Sequence, residues 1–142
     1  QGHSFDFWRS EGKLALHNDR ALELIEAVGL TEFAHTHAVE LPYGRKRALE
    51  IATTLALDPE MMLLDEPTAG MTHEDVGRIT ALIRKVAAHR TVLMVEHNLS
   101  VVSTLSDRIT VLARGEILAE GDYATVSRHP AVVEAYLGAS DG

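Results

Sequence analysis

The stretch Met61-Met62-Leu63-Leu64-Asp65-Glu66-Pro67 decides how the rest of the chain is read. An apolar run followed by two acids and a proline describes a buried strand whose carboxyl end delivers a pair of carboxylates to the rim of a sheet. That rim is where parallel α/β sheets bind ligands. Side chains alternate along a strand, so the two acids set out in different directions and can divide labour. One can hold a hydrated Mg²⁺ while the other takes a proton from water. The same residues also suit a core strand ending in an acidic turn that caps the next element, and taken alone the pair fits both readings.

Downstream of the acids, Thr72 with Asp75 three residues on forms an N-cap signature. The helix it opens carries Val76, Ile79, Ile83 and Val86 toward a basic end at Lys85, His89 and Arg90. A second strand, Thr91 to Val95, leads through Glu96-His97-Asn98 into a short helix with Leu99, Val102 and Leu105. Ile109 to Leu112 and Ile117 to Ala119 flank Arg114-Gly115-Glu116 and predict a hairpin. Two small helices follow, one capped by Asp122, the other entered through Pro130 and stopped at Gly138.

Upstream, a helix is expected from an N-cap at Asn18, with Ala21, Leu22, Ile25 and Val28 on one face and a stop at Gly29. A short helical piece around Glu32 to His35 comes next. After Leu41-Pro42 a second long helix has Ala48, Ile51, Ala52 and Leu55 at i, i+3, i+4 and i+7, and Asp58-Pro59 ends it. Phe5, Phe7 and Trp8 are read as part of the packing of this helical region, with an exposed aromatic cluster as the alternative. Strands alternating with helices make the chain α/β, with a mainly parallel sheet, an antiparallel pair at one side and a helical part in front.

The chain has 142 residues, 46% of them apolar, enough for one sizeable core. Its 21 acids outnumber 13 bases, and the net charge of -8 argues against a nucleic-acid surface. Any phosphate site must be local. Without cysteine there is neither a disulfide framework nor thiolate chemistry. No stretch approaches the roughly 20 apolar residues of a membrane helix, and no signal peptide is visible. Gln1 to Ser4 read as the remnant of a cleaved purification tag.

Leu41-Pro42-Tyr43-Gly44-Arg45-Lys46-Arg47 holds a second clue. A helix starting near Tyr43 presents free N–H groups and positive dipole charge, yet the first turn adds three cations. An anionic ligand would offset that repulsion, and Gly44 would let its phosphate approach the backbone. Splaying into water, or pairing with the plentiful acids, would offset it too. His35 and His37, two residues apart, do not share a helical face and are read as non-ligands.

Together these stretches resemble the ATP-binding subunit of an ABC transporter. Leu41 to Arg45 resembles the signature motif, usually Leu-Ser-Gly-Gly-Gln. Met61 to Glu66 matches the Walker B strand with its glutamate, Ala69-Gly70-Met71-Thr72 falls at the D-loop, and His97 takes the switch-histidine position. Tyr43-Gly44, Leu49 to Ala52 and Glu134 to Gly138 look most like the branched-chain amino acid importers. The resemblance divides the chain into a helical subdomain with the signature helix at 5–58 and the C-terminal part of a RecA-like core at 59–142. The implied fold is a partial P-loop NTPase-type domain.

The resemblance also implies roles. Asp65 would bind Mg²⁺ through water, and Glu66 would polarise the water that attacks the γ-phosphate. His97, one of eight histidines, would sense that phosphate. Tyr43, Gly44 and Arg45 would touch ATP held by a second nucleotide-binding subunit, identical or related. Membrane permease subunits would be the other partners, on the cytoplasmic face of the cell membrane.

Three residues depart from the pattern. Pro42 replaces a serine and suits a first helical position, Arg45 replaces glutamine and could bring its charge to the phosphate, and Thr72 stands where the D-loop usually has aspartate. A fourth departure is larger. No Gly-x-x-x-x-Gly-Lys-Ser/Thr occurs in the sequence, nor does a Q-loop. The expectation is a C-terminal fragment, inactive by itself, of an importer ATPase. A non-transport ABC-type ATPase, or a non-catalytic interaction module on the same fold, are the alternatives.

Overall fold

The computed structural model describes the backbone of residues 8–137 and the side chains of residues 18–135. The expectations made for Gln1 to Ser4, Phe5, Phe7, the Trp8 side chain and the stop at Gly138 lie outside the described residues. Two compact units divide between Met94 and Val95, and each is taken by itself.

The first unit begins with helix α1 (Trp8–Ala27). It starts ten residues before the expected cap at Asn18, which lies inside it. The preceding stretch holds Glu11, Lys13, Leu14, Ala15 and Leu16 and no proline, so helix propagates through a residue whose interior penalty is only about 0.7 kcal/mol. Its end is as expected. Gly29 adopts φ +70, its N–H reaching Glu26 O at 3.0 Å and that of Leu30 reaching Ile25 O at 2.8 Å, a Schellman stop.

A 3-10 turn at Thr31–Phe33 and an unforeseen one at Ala38–Glu40 lead to α2 (Tyr43–Leu55). Pro42 stands at its N-cap rather than in its first helical position, its carbonyl accepting from Arg45 N at 2.9 Å and Lys46 N at 3.0 Å. Gly44, Ala48, Ile51, Ala52 and Leu55 are buried, the stripe that the periodicity predicts. After Asp58 at φ +48, strand β1 (Met61–Asp65) pairs with β2 (Thr91–Val95) in a small parallel sheet. Helix α3 (His73–Ala87) crosses between them and buries Ile79, Leu82, Ile83 and Val86. Arg90 ties the second strand's entry to the loop before the first, donating to Pro59 O at 2.9 Å.

The strand expected to be buried is so on one side only. Met62 is fully buried, whereas Leu63 is 71% and Leu93 56% exposed. A continuous apolar run predicts a strand covered on both faces; here the described residues cover one.

The second unit runs from the end of β2 through α4 (Leu99–Leu105) to the hairpin of β3 (Ile109–Ala113) and β4 (Glu116–Gly121). Arg114 and Gly115, at φ +52 and +81, make the two-residue turn, and a bulge follows Val111. Helices α5 (Tyr123–Val126) and α6 (Pro130–Leu137) close the unit around buried Val101, Val126 and Val132.

Candidate functional site

Asp65 ends β1 and Glu66 opens the turn that follows, both exposed. Glu66 adopts φ +40. A proline at the next position disfavours the right-handed helical region for Glu66, and the left-handed one is strained for a residue with a Cβ by about 1–2 kcal/mol. The turn closes through Ala69 N to Glu66 O at 3.1 Å and is anchored by buried Pro67 and Thr68. Its backbone is gripped from α2. Arg47 Nη2 donates to Asp65 O at 2.7 Å and to Glu66 O at 3.4 Å, and Nε donates to Pro67 O at 3.4 Å. Tyr43 Oη donates to Ala69 O at 3.3 Å. The start of α2 and the acidic turn, far apart in sequence, are thus one local assembly.

Two of the three cations of that helix start pair with acids of the protein. Arg45 pairs with Glu32 at 3.7 Å and lies over the Phe33 ring at 5.4 Å. Arg47 pairs with Glu50 at 2.6 Å. Lys46 lines a shallow groove with Ala38, Val39 and Leu49. Pairing with acids, one of the two readings left open by the sequence, accounts for both arginines. Gly44 is also engaged: a Cβ there would meet the Asp75 carboxyl carbon at 2.5 Å, so its missing side chain serves the contact between α2 and α3.

Thr72 caps α3 as the sequence predicts. Its hydroxyl accepts from Asp75 N at 3.2 Å and donates to Asp75 Oδ2 at 3.0 Å, a reciprocal pair that fixes the end of the Ala69 to Thr72 segment. An aspartate could accept but not donate.

In the second unit His97 lies between β2 and α4, its side chain 69% exposed. Beside it the Glu96 side chain is 1% exposed, and its Oε1 accepts from His97 N at 3.0 Å and Asn98 N at 3.1 Å. Asn98 then caps α4 through Ser100 N at 3.1 Å. The imidazole is therefore presented from a fixed backbone. Sequence reasoning passed over Glu96 and gave Arg47 no role apart from its charge. An acid directly before a helix cap was the available signal for Glu96; Arg47 offered none, its partners being distant in sequence.

Mg²⁺ takes few protein ligands and keeps waters and phosphate oxygens around it. A single exposed carboxylate at a strand end, Asp65, fits that demand, and among the described residues no group of three or more His, Cys, Asp or Glu gathers to hold a metal instead. Adjacent Glu66 fits a base acting on water. In the hairpin unit, hydrogen bonding and charge from Arg108 lower the pKa of Glu120, and hydrogen bonding from Thr125 lowers that of Asp122.

The model of the ABC transporter family matches residues 5–69, and that of branched-chain amino acid ATP-binding cassette transporters matches residues 116–142. The high-affinity branched-chain amino acid transport ATP-binding protein LivG of Escherichia coli is 39% identical over 122 residues, 84% of this chain and 48% of that protein. BraF of Pseudomonas aeruginosa, of the same description, is 40% identical over 120 residues, 83% of this chain and 47% of its own length. A crystal structure of the ADP conformation of an ATP-binding cassette of an ABC transporter superposes with a TM-score of 0.76 at 31% identity, covering 84% of this chain and 49% of that one. The chain spans about half the length of the curated relatives it matches. On these matches the chain belongs to the ABC transporter ATP-binding family, with its likeness strongest to the branched-chain amino acid proteins named here.

Proposed function

We propose that this chain is the C-terminal part of the ATP-hydrolysing subunit of an importer for branched-chain amino acids. One observation carries the reading: Asp65 and Glu66 leave the end of β1 together, in a turn that α2 holds through Arg47 and Tyr43. Bound Mg-ATP would supply the phosphoanhydride to be cleaved. Asp65 would hold the hydrated cation, and Glu66 orients a water and takes its proton. His97 donates a hydrogen bond to the terminal phosphate. Tyr43, Gly44 and Arg45 face ATP held by a second such subunit, with Thr72 ending the segment that lies between the two subunits. Arg45 has to leave Glu32 to do so. Membrane permease subunits on the cytoplasmic side are the remaining partners; no helix among the described residues is long and apolar enough to cross a membrane itself.

In the full-length subunit, Glu66→Gln should abolish ATP turnover while leaving ATP-dependent dimerisation intact, read by phosphate release and by light scattering. Normal turnover in that variant removes the role given to Glu66. The isolated chain, which has no phosphate-cradling glycine loop in its sequence, should bind Mg-ATP weakly and hydrolyse none. Micromolar affinity by titration calorimetry would overturn that part.

A further inference from the structure

Arg47 grips the backbone that carries Glu66. In an extended strand successive carbonyls point to opposite sides, yet those of Asp65, Glu66 and Pro67 converge on one guanidinium, at 2.7, 3.4 and 3.4 Å. They can do so because Glu66 is in the left-handed region, φ +40, an unfavourable conformation for any residue but glycine. Something must hold it there. The fork is aimed from the other end as well, since Nη1 pairs with Glu50 one turn along the helix at 2.6 Å. The bond from Nε to Pro67 O is part-buried, whereas those from the two terminal nitrogens lie at the surface.

We infer that Arg47 is a positioning residue: its guanidinium fixes the backbone of the Asp65 to Pro67 turn and thereby the direction in which the Glu66 carboxylate leaves it. The inference rests on the proposed role of Glu66 in orienting water. Several donors in a rigid plane can span three carbonyls, whereas the ammonium of a lysine is a point donor on a flexible stem. A carboxylate displaced from water by a fraction of an ångström loses rate without losing nucleotide affinity.

Steady-state ATPase assays on the full-length subunit test this, with wild type and Glu66→Gln as controls. Arg47→Met keeps the stem and removes the fork; kcat should fall about tenfold with KM for ATP unchanged within about twofold. Arg47→Lys should recover part of that loss. A merely structural role would instead lower the melting temperature and the active fraction, leaving kcat per folded molecule as in wild type, and would overturn the inference. So would a loss confined to KM. Should Arg47→Met fail to fold, Glu50→Gln removes only the brace, and kcat should fall about twofold; an unchanged kcat there overturns the inference too. Inactive wild type, or an active Glu66→Gln, refutes the functional reading and this inference with it. Controls that behave, beside a fully active Arg47→Met, refute this inference alone.

Discussion

Gly44 and Asp75 meet so closely that a Cβ on the glycine would lie 2.6 Å from the aspartate's Oδ1 and 2.9 Å from its Cβ. The carboxylate cannot simply swing away, because Thr72 donates to one of its oxygens and Arg78 to the other. Gly44→Ala would gain about 1 kcal/mol of helix propensity and lose about 1–3 kcal/mol to overpacking. The clash should win, lowering stability by about 1 kcal/mol in urea denaturation. Adding Asp75→Ala, which deletes two of the three close atoms, should restore part of it; an unaffected single variant would show that the contact is slack.

The reciprocal bonds of Thr72 predict an unusual order among substitutions. Thr72→Ala should cost about 1 kcal/mol as a lost cap. Thr72→Ser should be close to neutral. Thr72→Asp, ordinarily a good cap, should be worse than serine at neutral pH, since it would face the Asp75 carboxylate where a hydroxyl now donates at 3.0 Å. Equal stability of the serine and aspartate variants in thermal melts would contradict the assigned geometry.

Arg45 has two calls upon it, and they can be separated. Its pairing with Glu32 and Phe33 is worth about 1 kcal/mol or less, given the exposure of the glutamate. Arg45→Ala should reduce stability by that amount and, in the full-length subunit, slow ATP hydrolysis severalfold. Glu32→Gln should weaken the pairing without slowing hydrolysis. If it slows hydrolysis as much as Arg45→Ala does, the arginine acts through the 3-10 turn and not on phosphate.

The hairpin unit should be acid-sensitive. Arg108 holds the Glu120 carboxyl below its usual pKa, with a hydrogen bond of 2.7 Å from its Nε, and Thr125 N does the same for Asp122 at 2.8 Å. Both groups bind a proton less readily folded than unfolded. Their contribution is therefore present above the ordinary carboxylate range and is lost as pH falls through the lowered values. Backbone chemical shifts of the hairpin and α5, followed from about pH 6 to about pH 3, should report that loss. Arg108→Gln should remove the hairpin's share of the pH dependence; an identical titration curve would place its cause elsewhere.

What the sequence made legible was local. The Ala48 to Leu55 stripe, the Thr72 cap, the stop at Gly29 and the Arg114-Gly115 turn each depend on neighbours within a turn of chain, and each is found where expected. Asn18 failed as a helix start because a weak preference for capping yields to an already propagating helix. The destinations of the arginines were hidden for a different reason. Arg47 reaches a carbonyl 18 residues away, and no periodicity encodes such a partner. Nor does an apolar run say whether both of its faces are covered, which is why β1 looked more buried than it is.

Leu63 and Leu93 turn grease toward water on a ribbon that, among the described residues, has two strands. Molecules so built stick to one another at high concentration. Apolar attraction strengthens on warming and with excluded salts, so light scattering from concentrated solutions should climb with temperature and with sulfate, and Leu63→Glu should quieten it.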